Sequence, residues 1–341
     1  MGVGRLFCGC FLVIGIFSAN AQTQLATFSS NKPDTVWKPE VFAYLRNTEF
    51  FHPAEEGRTR FGALIGARRS YYGSGGRTVE LGGWVQQNFG TAPKLLPWVV
   101  LRQSGRWGQA SFGSIADRSH GLPRQLINPD LRYAEPIVYG LSGLLGRGSF
   151  RADYWGEWLT AIDYGSPKKE RIHAGVVLGW EAPQAYLKAF LQYHHTGGQI
   201  DTSPEVDGNR LNGGAIARLR LGTAEVRLAH VLYADPLARF SPERRGNGTA
   251  ADVTVRATSA LRVEASYWRG RNFQAPLGQG LFQSRNPEEL GAWYAEDRRL
   301  VGLSLGWEGQ SSLRIRAWYD LADRSLQPSV TWVRYVVLDP L

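Results

Sequence analysis

Sulfur is scarce in this chain, and long apolar runs are scarcer. Its 341 residues include two cysteines and one methionine, and both cysteines, Cys8 and Cys10, stand within the first ten positions. If that segment is removed, what remains has no disulfide and no thiolate chemistry. After Phe17 no stretch approaches the roughly 18–20 uncharged apolar residues that a helical membrane span needs, so a helical membrane protein is excluded. His-Glu-x-x-His, phosphate-loop and EF-hand patterns are missing as well. Lys and Arg outnumber Asp and Glu by 39 to 30, a net charge of +9. The basic residues are dispersed along the chain instead of clustered, which argues against a nucleic-acid partner.

The first residues read as an export signal. Arg5 supplies a short positive region, Leu6 to Phe17 an apolar stretch of signal-peptide length, and Ala19-Asn20-Ala21 a small-x-small cleavage site before Gln22. The expected organisation is a cleaved signal over 1–21, a periplasmic N-terminal segment over 22–39, and the structural body over 40–341. Loss of Arg5 takes the charge from +9 to +8.

That body repeats one pattern. Runs of about ten residues alternate apolar with polar, as in Leu313-Arg314-Ile315-Arg316-Ala317-Trp318-Tyr319-Asp320-Leu321, and a period of two belongs to strands. One soluble sandwich core cannot absorb so many charged faces beside so many apolar ones. A closed barrel in a bilayer can, with apolar faces toward lipid and charged faces lining a wet lumen. The pattern predicts an all-β, transmembrane, antiparallel up-and-down barrel with strands near 40–52, 58–71, 77–89, 95–104, 106–116, 134–145, 149–163, 170–181, 185–195, 210–221, 224–234, 250–257, 260–271, 297–307, 312–322 and 327–338. That makes about sixteen strands. Fourteen is the alternative, since Val41 to Phe51 could be a plug or linker and Pro97 falls inside a proposed strand. Links alternate in length: seven brief ones on the side where the chain enters, mostly longer ones opposite, as periplasmic turns and outer loops do. The aromatics Tyr71, Tyr72, Trp107, Trp180, Trp293, Tyr294 and Trp307 fall at strand ends, where amphipathic rings meet lipid headgroups.

With its leader, alternating strands, sorted links and terminal aromatic strand Val330 to Leu338, the chain resembles a Gram-negative outer-membrane β-barrel of porin type. The resemblance is architectural and covers nearly all of the chain after the leader. It implies an outer-membrane location, a passive diffusion channel for small polar or anionic solutes, and a long fifth link that narrows the lumen. Here that link is Asp117 to Tyr133, with Asp117, Arg118, His120, Arg124, Asp130 and Arg132 as constriction-loop candidates. It lacks the acidic, glycine-rich core of general porins, so an inward fold and a surface loop both remain open. The pore-lining candidates are Arg218, Arg220, Arg227, Arg256, Arg262, Glu264, Arg314, Arg316 and Asp320, a basic half-wall whose field would act on anions or sugars. Expected partners are outer-membrane lipid and lipopolysaccharide, the barrel-assembly machinery, small polar solutes and, as an option, further copies of the chain.

A non-conducting structural or surface-interaction barrel, including a component of an outer-membrane complex, is the alternative function, and the chain is expected not to be an enzyme. Asp117, Ser119 and His120 lie too close together in sequence to act as nucleophile, base and orienter, which ordinarily converge from separate segments. They read as a polar loop. His194 and His195 are strand neighbours pointing to opposite faces, unsuited to one metal. Asp201, Glu205, Asp207 and Asn209 match no calcium-loop spacing and read as a solvated cluster, and Asn247-Gly248-Thr249 reads as a turn. No cofactor and no metal is expected.

Overall fold

In the computed structural model, sixteen antiparallel strands close into one barrel in which each strand pairs with its sequence neighbours and the last returns to the first. The structure describes residues 37–49, 57–161, 168–197, 208–235, 245–284, 294–309 and 311–337. The expected leader over 1–21, most of the 22–39 segment, Trp293, and Asp201, Glu205 and Asp207 lie outside them. In chain order the strands are β1 (Lys38–Thr48), β2 (Arg58–Tyr72), β3 (Arg77–Asn88), β4 (Lys94–Gly105), β5 (Gly108–Ile115), β6 (Val138–Arg147), β7 (Phe150–Thr160), β8 (Glu170–Glu181), β9 (Ala185–Gly197), β10 (Gly208–Leu221), β11 (Ala224–Ala234), β12 (Arg245–Arg256), β13 (Leu261–Arg271), β14 (Asp297–Glu308), β15 (Ser311–Asp320) and β16 (Leu326–Val337). One helical turn, α1 (Leu131–Ala134), lies between β5 and β6. The count is therefore sixteen, and the segment around Pro97 is a strand.

Alternation places the faces. Leu303, Leu305, Leu313 and Ile315 are 40–54 % exposed on the outer wall, where lipid, not water, is their solvent. Between them Ser304 and Trp318 turn inward and are buried. At the end where the chain enters, the seven even-numbered links are tight, and glycine in the left-handed region makes two of the turns, Gly148 and Gly222, at φ of +59° and +60°. Tyr71, Tyr72, Trp107, Trp180 and Trp307 stand exposed at that same end, forming an aromatic girdle.

The lumen departs from the expected wet tube. The third outer loop (116–137) and the described part of the seventh (272–284) fold inward and fill it. Leu122, Leu126 and Ile127 of the third loop and Phe273, Ala275, Leu281 and Phe282 of the seventh join wall residues Trp155, Phe190, Ile216, Val231, Trp268, Leu300 and Trp318 in one buried apolar cluster. A second cluster sets Tyr133 and Ile137 against Phe42, Tyr44, Leu64, Trp84, Trp98 and Val100. A loop brought out of water needs apolar partners. The inward face of the strands supplies them, alternating apolar layers with charged ones.

Candidate functional site

The third loop crosses the lumen and is fastened on three sides. On β7, Glu157 is fully buried and takes Arg118 through Nε and Nη2, each at 3.3 Å, and His120 Nε2 at 3.2 Å. Across the barrel, Arg124 Nη2 reaches Asp252 of β12 at 3.1 Å and Glu264 of β13 at 2.6 Å, with its guanidinium over the Trp318 ring. On the remaining side Asp130 pairs with Arg46 of β1, and the Tyr133 carbonyl accepts from Gln86 Nε2 of β3 at 2.6 Å. Buried carboxylates of this kind keep their charge only when charged donors surround them.

The Glu157 contact continues around the wall. His173 Nδ1 lies 3.1 Å from Glu157, His173 Nε2 lies 3.3 Å from Gln192 Oε1, Gln192 donates to Asn212 at 3.3 Å, and Asn212 donates to the Gln274 carbonyl of the seventh loop at 2.8 Å. One polar ladder over β7 to β10 therefore holds both loops. His173, Gln192, Asn212 and Trp155 escaped sequence reasoning as a set. Their signal is polar or aromatic residues at inward parity on successive strands, but which of them align depends on register.

His120 lies face to face with the Trp155 ring at 3.9 Å between centroids, with Nδ1 3.6 Å from Asp153 and Nε2 3.2 Å from Glu157. Burial pulls its pKa down, but the bonds to the two carboxylates outweigh this and hold it above the ordinary histidine value. Its proton is thus a structural clamp, and neither ring nitrogen is available to Ser119. A raised folded pKa means the stabilisation is complete below the unfolded value near 6.5 and is lost as pH rises through the folded value. Hydrogen exchange at 117–124 should therefore be slow at pH 6 and speed up with alkalinisation beyond the intrinsic rate. Equal protection in a His120→Gln variant across that range would contradict the clamp.

Beneath the loop, toward the tight-turn end, lies a cavity of about 900 Å3 that reaches Gly222 and Thr223. Arg118, Arg124, Arg132, Arg220, Arg227, Arg256, Arg262, Arg314 and Arg316 line it, with Asp117, Glu225, Asp252 and Glu264. Nine guanidiniums against four carboxylates leave an excess of five positive charges. Arg227 is tied to Asp252 at 2.6 Å and Arg262 to Glu308 at 3.1 Å; Arg316 and Arg220 stand 3.6 Å from Glu264 and Glu225. Arg132, Arg256 and Arg314 have no carboxylate within salt-bridge distance among the described residues, and Asp117 has no basic partner there, its Oδ1 accepting only the Ser119 N–H at 3.0 Å.

The constriction-loop candidates thus share one inward loop, in three different settings. Of the pore-lining candidates, Arg220, Arg227, Arg256, Arg262, Glu264, Arg314 and Arg316 meet at the cavity. Arg218 stays against Glu225 and the Tyr186 ring, and Asp320 is buried at the opposite end against Arg298 at 2.8 Å. His194 turns into the wall and His195 away from it, its Nδ1 2.7 Å from Asn209 Oδ1. Asn247 lies within β12 instead of a turn.

The model of the lipid A 3'-O-deacylase-type family matches residues 33–336; the chain belongs to that family. Solved structures share the fold. A loop L8 deletion mutant of OmpT, an outer membrane protein of Vibrio cholerae, is 12 % identical with a TM-score of 0.58, over 89 % of this chain and 100 % of that one. OmpF of Salmonella typhi, solved with daunomycin, is 9 % identical with a TM-score of 0.58, over 90 % and 99 %. OccK2 of Pseudomonas aeruginosa, solved with glucuronate, is 10 % identical at 0.51, over 89 % and 96 %. No curated protein matches the sequence. The chain is a porin-like barrel of the Gram-negative outer membrane. Membership in a family named for an enzyme overturns the expectation that this barrel is not one. Local motifs were a poor guide to catalysis here: Gly302-Leu303-Ser304-Leu305-Gly306 fits Gly-x-Ser-x-Gly but lies within β14 and not at a strand-to-helix turn, and catalytic groups in a barrel are brought together by register and loop path.

Proposed function

We propose that this barrel hydrolyses an acyl ester of a phosphorylated outer-membrane lipid of the lipid A class, at the cavity beneath the third loop. The observation that carries the reading is the meeting, in one cavity, of a carboxylate without a basic partner among the described residues, Asp117, with three guanidiniums without a carboxylate partner there, Arg132, Arg256 and Arg314. A guanidinium fork matches phosphate oxygens two at a time. Asp117 takes a proton from water as the water oxygen attacks the acyl carbonyl. The ester C–O bond then breaks, the sugar oxygen leaves with a proton, and a free fatty acid and a sugar hydroxyl result. Family membership supports the bond and substrate class. In mixed micelles of detergent and lipid A, the purified protein should release fatty acid detectable by mass spectrometry, and Asp117→Asn should slow this by about 10²-fold or more. An Asn variant as fast as the native protein would remove Asp117 from the reaction.

A second reading, passage of small polar or anionic solutes, draws on the porin-like fold and the arginine excess. The apolar packing of two loops across the lumen weighs against it. If ions do pass, the native protein should prefer chloride, and changing Arg314 and Arg316 to Gln should move the reversal potential in a salt gradient toward that of a cation-preferring pore.

A further inference from the structure

The barrel wall is not uniformly laced. β4 has backbone partners on β3 as far as Lys94, but on its β5 side the ladder stops at Val100 opposite Gly113. Above that point the loop end of β4, from Leu95 to Val99, has no strand paired with it on the β5 side, which is a seam of roughly 15 Å at a strand's rise per residue. It lies in the half of the wall away from the tight turns. In hydrocarbon an unmatched backbone N–H or C=O is costly, and this seam is furnished to avoid that. Pro97 has no N–H to leave unpaired. The Val99 N–H donates to Ser114 Oγ at 3.0 Å, and the Pro97 carbonyl accepts from Tyr139 Oη at 3.0 Å and Ser114 Oγ at 3.4 Å. Gly113, at φ +119°, turns β5 away from β4, and a Cβ there would stand 2.0 Å from the Val99 carbonyl.

Behind the seam is an apolar pocket. Ala116, Pro136, Ile137, Leu64, Trp84 and Trp98 line it, together with Arg68, which is paired with Glu40 and Glu80. Ala116 and Arg132 line both this pocket and the arginine cavity, so the two spaces meet at one guanidinium. Outside the seam Leu95, Val99 and Leu101 face lipid. A largely apolar pocket that lies behind a break in the strand pairing of a lipid-facing wall, and has at its lumen end an arginine without a carboxylate partner among the described residues, has the polarity of an acylated anion.

We propose that the β4–β5 seam is a lateral entrance by which one acyl chain of an outer-leaflet lipid reaches the lumen, with its polar end at Arg132. The inference rests on the acylated-lipid reading for its purpose and on the wall geometry for its location. The pocket holds about 20 Å3 of free space as it stands, so a chain enters by displacing Arg132 from the Phe42 ring, over which it lies at 5.3 Å.

The test is photolabelling of the full chain reconstituted in phosphatidylcholine vesicles that contain phospholipid with a diazirine in its acyl chain. Label is expected on lumen-facing Leu64, Trp98 and Ile137 as well as on lipid-facing Leu95 and Leu101. Ala116→Trp, which fills the junction, should abolish the lumen label and leave the lipid-facing label. Leu64→Trp provides the same block from β2 if the first variant does not fold. Label confined to the lipid face of the native chain, or lumen label unchanged in a folded Trp variant, would overturn the entrance. Fatty-acid release without lumen label overturns the entrance and leaves the reaction standing. Lumen label without release does the reverse.

Discussion

Replacing Glu157 with Ala is expected to destabilise the barrel by about 3–5 kcal/mol, the cost of leaving buried cations without their partner. Arg118, His120 and His173 all meet this carboxylate, and it has no exposed surface over which water could replace them. The effect should also be local. With its β7 anchor gone, the third loop should become cleavable by trypsin at Arg118 and Arg124 in a protein whose strands remain protected. Urea titration in phospholipid vesicles measures the first effect and limited proteolysis the second. A loss of about 1 kcal/mol or less, the range of a solvated surface pair, would contradict the anchor.

Ile315→Arg should cost about 2–4 kcal/mol, the penalty for a basic side chain near the midplane on the lipid face of a barrel. Ile315 is 48 % exposed on that face, paired with Leu305 and Val330 on the neighbouring strands. The control is Thr254→Arg. Thr254 lines the cavity, with Glu225 and Glu264 as its cross-strand partners, so an arginine there finds water and two carboxylates, and its effect should stay within about 0.5 kcal/mol. Similar unfolding midpoints for the two variants would contradict the assignment of faces.

Alternation and link lengths made the barrel legible because a strand's period and a membrane's two solvents leave few other arrangements. Boundaries slipped where the loops turn inward. β6 begins at Val138, not near 134, because residues 131–134 coil into a helical turn and Pro136 follows before the wall resumes. β12 begins at Arg245, not near 250, because Gly246 and Gly248, which look like turn residues, are strand glycines required by close neighbours. A Cβ on Gly246 would meet the Asn272 carbonyl at 2.0 Å, and one on Gly248 would meet the Trp268 ring at 1.9 Å. The arginines of the second half were legible as inward residues. Their cavity was not, because it is defined by Arg124, which finds Asp252 across 128 residues of sequence. His120 read as a polar loop residue for the same reason: its partners, Asp153 and Glu157, are visible only once the loop is known to fold inward. Apolar Phe273, Leu281 and Phe282 in a long outer link were the available sign that the lumen is filled.

Mass spectrometry of lipid A from Gram-negative cells that make this chain, with its outer-membrane insertion checked by a heat-dependent gel shift, tests the central claim most directly. The account predicts a new lipid A species lighter by one ester-linked acyl chain, absent from cells making the Asp117→Asn variant at equal levels. Lipid A of unchanged mass in cells whose outer membrane holds the folded native barrel would contradict it.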